Sequence, residues 1–415
     1  MSETLTEEQL KRIYGARHAE ADERFALLKK RFEKRFEASP EGFFSSPGRT
    51  EIIGNHTDHN GGKVLAASID LDTIGAVSVN GTSRIRIISE APHPEVELDL
   101  EKLQEVPKCR GSLSLVAGMA EGVREKGFRI EGFDACVSST VLPSAGVSSS
   151  ASYEMLLLCI INALFNEEKM SLAERAAIGQ YAENVWWEKA SGMMDQMACA
   201  HGGTVLFDFK DGVKTEPVPF SFEEIGCEMI LVNSGKGHAD LREEYSSIPN
   251  EMRRIASALG KKNLVDASEE ALMEGFARVR RETGHDRALL RALHFYRENQ
   301  RVEKAVAQIR AGHPEAILPA ITASGNSSWK WLQSCYVTGE AKEQPVAVAL
   351  ALTERFLEDL GEGVCRINGG GFGGVMMCVL PKTHTGEYMD YMTPFVGREN
   401  VHLMHIRETG AVRIA

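Results

Sequence analysis

No Cys-x-x-Cys pair occurs among the eight cysteines, and several of them, such as Cys159 and Cys378, sit in apolar runs. That argues against a zinc framework or a disulfide scaffold. The thiols read as reduced and mostly packed, as in a cytoplasmic protein. Long apolar runs are also missing. The longest, Met155 to Phe165, contains Asn162 and is far short of the ~20 residues that cross a bilayer. The stretch Met1 to Glu8 is acidic and lacks the apolar centre of a secretory signal. Basic residues are in deficit: Lys and Arg total 47 against 59 Asp and Glu, a formal net charge of -12. Nucleic acid and acidic membranes are therefore poor partners, although one basic cleft for a nucleotide is compatible with that balance. No internal repeat or low-complexity tract is visible.

What is present fits a globular protein, with 43% hydrophobic and 26% charged residues. A chain of 415 residues is long for one core, so two domains sharing a cleft are expected. The division is placed near residue 210, giving an N-terminal sugar- and ATP-binding part (1–210) and a C-terminal part (211–415). No linker marks it, which predicts tight packing.

Residues 5–38 have the spacing of one or two amphipathic helices. Strands are predicted at Phe43 to Ile53, Val64 to Val79, Ile85 to Ile88, Thr204 to Phe209 and Met229 to Asn233, and Phe133 to Leu142 is β-rich. Helices are predicted at Ser112 to Lys126, Val147 to Phe165 and Leu172 to Trp187. Residues 250–352 are mainly helical, broken at Gly312-His313-Pro314. Strands and helices mix without a regular βαβ rhythm, which predicts the α+β class.

Four segments carry the chemistry: Ser46 to Asp58, Leu142 to Ser152, Gly192-Met193-Met194-Asp195-Gln196, and Asn368 to Gly374. In the second, Gly146 precedes a helix and serines follow it. Backbone N–H groups at a helix start favour anions, glycine permits close approach, and the hydroxyls cap the helix and can reach Mg²⁺, although a plain serine-rich helix cap has the same pattern. This loop lacks the Gly-Lys-Ser/Thr ending of a Walker A motif. The last segment places five glycines in six positions before an apolar strand. So many glycines are costly to order, which suits either an unusual turn or a close backbone–ligand approach. Asp195 lies among apolar residues, as a structural carboxylate or as an acceptor of a substrate hydroxyl proton. Glu183, on the preceding helix, either ligates Mg²⁺ or faces solvent. His56, Asp58 and His59 also match the His-x-Asp-His spacing of two-metal hydrolases, but no ligand-spaced histidines follow.

Together these segments resemble those of galactokinases, within the superfamily named for galactokinase, homoserine kinase, mevalonate kinase and phosphomevalonate kinase. The resemblance spans about Phe43 to Leu380. It implies an N-terminal domain like domain 2 of ribosomal protein S5, a ferredoxin-like C-terminal domain, and an active site in the cleft between them. By motif match, Asp195 would be the catalytic carboxylate acting on the C1 hydroxyl of galactose, with Arg49 beside it. Asn55, His56, Asp58, Gly192 and Tyr245 would bind the sugar. Pro143, Ser144, Ala145, Gly146, Val147, Ser148, Ser149 and Ser150 would hold ATP, with Gly370 and Gly371 closing the site. Ser150 and Glu183 would bind Mg²⁺. The implied partners are a small sugar and ATP, and the implied state a monomer or weak homo-oligomer.

The family signature reads Gly-Arg-x-Asn-hydrophobic-Ile-Gly-Glu-His-x-Asp-Tyr. Here Glu51 replaces the asparagine, Asn55 the glutamate and His59 the tyrosine. Glu51 and Asn55 look like an exchanged pair that returns a carboxylate nearby. Alternatively, losing the glutamate charge would admit a sugar with a C6 carboxylate, such as galacturonate. Ser324-Gly325-Asn326-Ser327-Ser328 also departs from the family's Ser-His-x-Ser-Leu segment. The family's non-catalytic sugar sensors lack two residues of the serine loop. Ser148 to Ser152 is complete here, which favours an enzyme over a regulator.

Overall fold

Two antiparallel-dominated sheets share one apolar core, and the segments singled out above meet where the sheets join. The computed structural model describes residues 5–89, 95–109, 111–142, 146–189, 191–235 and 241–415. In chain order the strands are β1 (Gly42–Ile53), β2 (Lys63–Val79), β3 (Arg84–Ser89), β4 (Val96–Asp99), β5 (Phe133–Ser139), β6 (Thr204–Asp208), β7 (Lys214–Pro217), β8 (Cys227–Asn233), β9 (Val364–Ile367), β10 (Val375–Pro381), β11 (Val401–Met404) and β12 (Val412–Arg413).

The first sheet runs β12-β1-β2-β5-β3-β4, with β6 also on β2 and β7 on β6. Only β3 and β5 pair in parallel. The second sheet runs β11-β8-β10-β9 and is antiparallel throughout. The expected division after residue 210 falls in the turn of the β6–β7 hairpin. The first sheet keeps β7 and regains β12, which lies against β1. The α+β expectation matches the observed mixture.

The helix Ser149–Phe165 is buried around most of its circumference. Its apolar sequence has that consequence because it lies between the first sheet and the helices Gly111–Glu125, Leu172–Tyr181 and Met194–His201. The N-terminal helices Glu7–Tyr14 and His18–Phe36 bury Leu10, Ile13, Phe25, Leu28 and Phe32 against Phe43 and Ile74. The tight packing expected across the two parts is physical. Ile52, Ile53 and Leu65 of the first sheet share one cluster with Met229, Leu231, Met377 and Val379 of the second. Helix Asp286–Arg310 closes that cluster with Val302 and Val306.

β1 carries register shifts at Pro47/Arg49 and Glu51/Ile53. These irregularities turn consecutive residues toward the junction of the sheets rather than along the ladder. The helix predicted over Leu172 to Trp187 is α-helical only to Tyr181. Residues Ala182–Trp186 widen into a π-turn, and that turn carries Glu183.

Candidate active site

The site begins at β1. The Arg49 backbone N–H donates to Val147 O (3.2 Å). Gly48 is obligatory beside it, because a Cβ there would lie 2.8 Å from that same carbonyl. This contact places the Arg49 guanidinium under the serine loop. Its Nε and Nη2 lie 2.8 and 2.7 Å from Asp195 Oδ1, and its Nη1 donates to Gly146 O at 2.5 Å. Asp195 occupies the first turn of helix Met194–His201. Its second oxygen accepts from the Ser148 hydroxyl. Burial pushes the Asp195 carboxyl up, but Arg49, Lys189 and the Ser148 hydroxyl outweigh it, so its pKa falls below the ordinary carboxylate value.

The serines do not cap their helix as expected. Ser148 is the N-cap, in the left-handed region (φ 61°), and makes no side-chain cap bond. That conformation spends its hydroxyl on Asp195 instead. Ser150 donates to Glu183 Oε1 (2.7 Å), and Ser152 to the Ser46 carbonyl (2.8 Å). The serine run therefore ties the helix start to both acids and to β1. Pro143, Ser144 and Ala145 lie outside the described residues. Val147 is fully buried and packs in the core shared by the two sheets.

The glycine loop faces this assembly. Gly369 (φ 66°) approaches Gly146 so closely that a Cβ would sit 2.9 Å from the Gly146 carbonyl and 3.6 Å from an Arg49 nitrogen. Three successive loop carbonyls are held by residues expected to bind sugar. Asn55 Nδ2 donates to Gly369 O (2.8 Å), His56 Nε2 lies 2.9 Å from Gly370 O, and the Tyr245 hydroxyl donates to Gly371 O (2.8 Å). Gly370 packs on the Tyr245 ring with no room for a side chain.

Asn55 is fully buried, and its amide is fully engaged. Nδ2 also meets Glu51 Oε2 (3.2 Å), and Oδ1 accepts from the Ser328 hydroxyl (3.1 Å). Glu51 in turn makes a buried ion pair with Arg366 at 2.7 Å. The carboxylate expected to return to the sugar through the Glu51/Asn55 exchange is thus committed to Arg366. Sequence reading missed Arg366, Ser328 and His294, whose Nε2 lies 2.8 Å from Asn55 O. Their partners lie more than two hundred residues away along the chain, and no local pattern signals such a match.

Asp58 opens the 3₁₀ turn Asp58–Asn60. Its carboxylate lies against Gly192, where any Cβ would collide with it. Burial, reinforced by the Asp195 charge, pushes Asp58 up to about 6. Burial likewise lowers His56. His56, Asp58 and His59 have separate partners: Gly370 O for His56, the backbone N–H groups of His59 and Met194 for Asp58, and Asn60 for His59 Nδ1. Among the described residues, no three His, Cys, Asp or Glu side chains form a cluster able to hold a metal.

The residues expected to take Mg²⁺ fit that ion. Glu183 is a buried carboxylate with the Ser150 hydroxyl 2.7 Å away, and the Lys189 ammonium lies 2.6 Å from the same oxygen. A hard anionic oxygen beside a hydroxyl, already drawing one cation, suits an ion that takes few protein ligands and completes its shell with phosphate and water. Lys189 was not foreseen, although it follows Glu183 by only six residues. Glu154 was also missed. It is fully buried on the helix of the serine loop and accepts from Gln196 Nε2 (2.9 Å). An acid in so apolar a helix was the available signal.

Comparison with known proteins places the chain in a family. Residues 30–79 match the galactokinase galactose-binding signature, and residues 114–203 match the N-terminal domain of the GHMP kinases. A galactokinase of Streptomyces coelicolor is 30% identical over 354 residues, covering 83% of this chain and 86% of the relative. One from Clostridium tetani is 28% identical over 359 residues, covering 86% and 88%. The crystal structure of Lactococcus lactis galactokinase complexed with galactose superposes with a TM-score of 0.80 at 22% identity, over 94% of this chain and 99% of that one. Mevalonate kinase of Methanococcus jannaschii gives 0.61 at 15% identity, over 88% and 98%. The chain belongs to the galactokinase family.

Proposed function

We propose that this protein transfers the γ-phosphoryl group of ATP to the C1 hydroxyl of galactose. The observation that carries this reading is the Arg49–Asp195–Ser148 arrangement, set where the serine loop, β1 and the glycine loop meet. Phosphoryl transfer needs positioning and charge neutralisation more than covalent chemistry, and these groups offer both.

In this reading the start of helix Ser149–Phe165 receives the nucleotide phosphates, whose charge its dipole and first N–H groups favour. Ser150 and Glu183 would hold Mg²⁺, which when bound neutralises charge on the transferring phosphate. Asp195, ionised at neutral pH, accepts a hydrogen bond from the C1 hydroxyl and aims its lone pair at the phosphate. A carboxylate held below its usual pKa is a weak base, so orientation and charge outweigh proton abstraction before attack. Arg49 fixes that carboxylate and faces the charge that develops during transfer. Asp58 and His56 bound the sugar side, and Tyr245 braces the glycine loop.

The two domains take finer folds in this reading. The order β11-β8-β10-β9, with helices between β8 and β9 and between β10 and β11, supports a ferredoxin-like second domain. The first sheet with its covering helices supports the S5-like one. The site lies between them, and the protein acts in the cytoplasm as a monomer or weak homo-oligomer.

A coupled ADP-release assay with Mg²⁺-ATP tests the function against galactose, galacturonate, glucose, N-acetylgalactosamine and mevalonate. Turnover on galactose supports the reading. Sugar binding without ADP release from any substrate would make the protein a sensor instead.

A further inference from the structure

Glu183 carries a cation of this chain. The Lys189 ammonium lies 2.6 Å from Glu183 Oε1, the same oxygen that accepts from the Ser150 hydroxyl at 2.7 Å. Ser150 stands in the first turn of helix Ser149–Phe165, so the ammonium is held at the helix start that would receive the nucleotide phosphates. Its charge also reaches Asp195, where it follows Arg49 among the charges that hold that carboxylate down.

The backbone at Lys189 is fixed, while its side chain has room to move. Trp187 Nε1 donates to Gly111 O (2.7 Å), which anchors the segment to the neighbouring helix. Glu188 is left-handed (φ 54°) and turns the chain back. The Lys189 N–H then donates to Glu183 O (3.0 Å), and Lys189 O accepts from the Ser191 N–H (2.9 Å). The two side chains differ in access: that of Lys189 is 46% exposed and that of Glu183 only 2%. The carboxylate cannot follow the ammonium outward, whereas a flexible four-carbon stem can re-aim the ammonium. Arg49 has no such freedom. It is buried, with Nε and Nη2 on Asp195 and Nη1 on Gly146 O.

An ammonium and Mg²⁺ are drawn to Glu183 Oε1 alike, and two cations on one oxygen repel each other. We propose that Lys189 is a further catalytic residue of the transfer: its ammonium rests on Glu183 and passes to a non-bridging oxygen of the transferring phosphate when Glu183 takes the metal. There it neutralises charge that Arg49, held by Asp195, leaves uncovered. This rests on the phosphoryl-transfer reading above.

The test uses K189M, which keeps the stem and removes the charge, and K189R, which keeps the charge. Two quantities are read beside the melting temperature: kcat with galactose and Mg²⁺-ATP, and the factor by which Mg²⁺ tightens binding of a non-hydrolysable ATP analogue, from calorimetry with Mg²⁺ and with EDTA. In K189M kcat should fall by about 10²-fold, the loss typical of one donor to developing charge. The Mg²⁺ factor should rise by about tenfold, because the metal no longer displaces a charge-assisted hydrogen bond. K189R should recover most of kcat. An unchanged Mg²⁺ factor in K189M overturns the proposal, since a lysine that only braces the fold would change binding with and without metal alike. An unchanged kcat overturns it too. If the wild type phosphorylates no sugar, the kinase reading fails by itself, and the Mg²⁺ factor alone decides whether Lys189 and the metal exchange on Glu183.

Discussion

Gly192 and Asp58 touch backbone to carboxylate, with no space for a Cβ between them. The contact joins the turn after β1 to the segment before helix Met194–His201, and so sets Asp58 relative to Asp195. The substitution G192A should push Asp58 outward. A displacement of about 1 Å in a positioning group costs on the order of 10²-fold in kcat/KM. Steady-state kinetics should show that loss while the melting temperature stays close to wild type. Undiminished kcat/KM would remove Asp58 from the substrate site.

Asp195 is predicted to be indispensable to turnover but not to nucleotide binding. D195N keeps the shape and loses the charge that faces Arg49, so kcat should fall by about 10²–10⁴-fold. Calorimetric titration with ATP should give a dissociation constant near the wild-type value. If the variant retains turnover, Asp195 has no part in the chemistry.

The pH response of Asp58 has a definite sign. Its folded pKa, about 6, lies above the ordinary value of 3.8. The proton is bound more tightly in the folded state, so the stability this group contributes is fully present below 3.8 and is lost as pH rises through 6. D58N should therefore flatten that part of the stability profile. Ionised Asp58 is also the better acceptor for sugar hydroxyls, so KM for sugar should rise as pH falls below about 6 in wild type. In D195N the inflection should move lower, because the Asp195 charge contributes to the shift. An inflection that stays put would disprove that coupling.

Returning the family's glutamate alone should harm the protein. N55E would bury a second carboxylate beside Glu51 and against the Gly369 carbonyl, at a cost of about 3 kcal/mol or more. The double exchange E51N/N55E leaves one carboxylate within the Arg366 network and should recover at least about 1 kcal/mol of that loss. Chemical denaturation of the four proteins closes the cycle. Strict additivity would contradict the shared network.

Much of this was legible in the sequence, and the boundary of legibility is physical. The serine loop, Asp195 and the glycine loop announce themselves through residue types that few ordinary turns need. The Arg49–Asp195 pairing follows once those segments are placed together. The Glu51–Arg366 pair spans 315 residues, and Ser328 reaches Asn55 across 273. Neither separation leaves a periodic trace. The strands β4, β7 and β12 have four residues or fewer, too short for alternation to emerge. Helix capping is the local preference of serine, but tertiary partners claim these hydroxyls: two acids take Ser148 and Ser150, and the Ser46 carbonyl takes Ser152.

Removal of divalent metal separates structure from chemistry. The Lys189 ammonium already neutralises Glu183, so chelation should leave the melting temperature unchanged. Phosphoryl transfer should cease and return with added Mg²⁺. A large drop in melting temperature on chelation would mean that a metal supports the fold.

The central claim is transfer of phosphate to C1 of galactose by the Arg49–Asp195 site. It is tested most directly by incubating the protein with galactose and Mg²⁺-ATP and assigning the product by ³¹P and ¹H NMR, with D195N alongside. The account predicts a phosphate coupled to the anomeric proton in the wild-type reaction and its absence with D195N. A phosphate at C6, or equal product from both proteins, would contradict it.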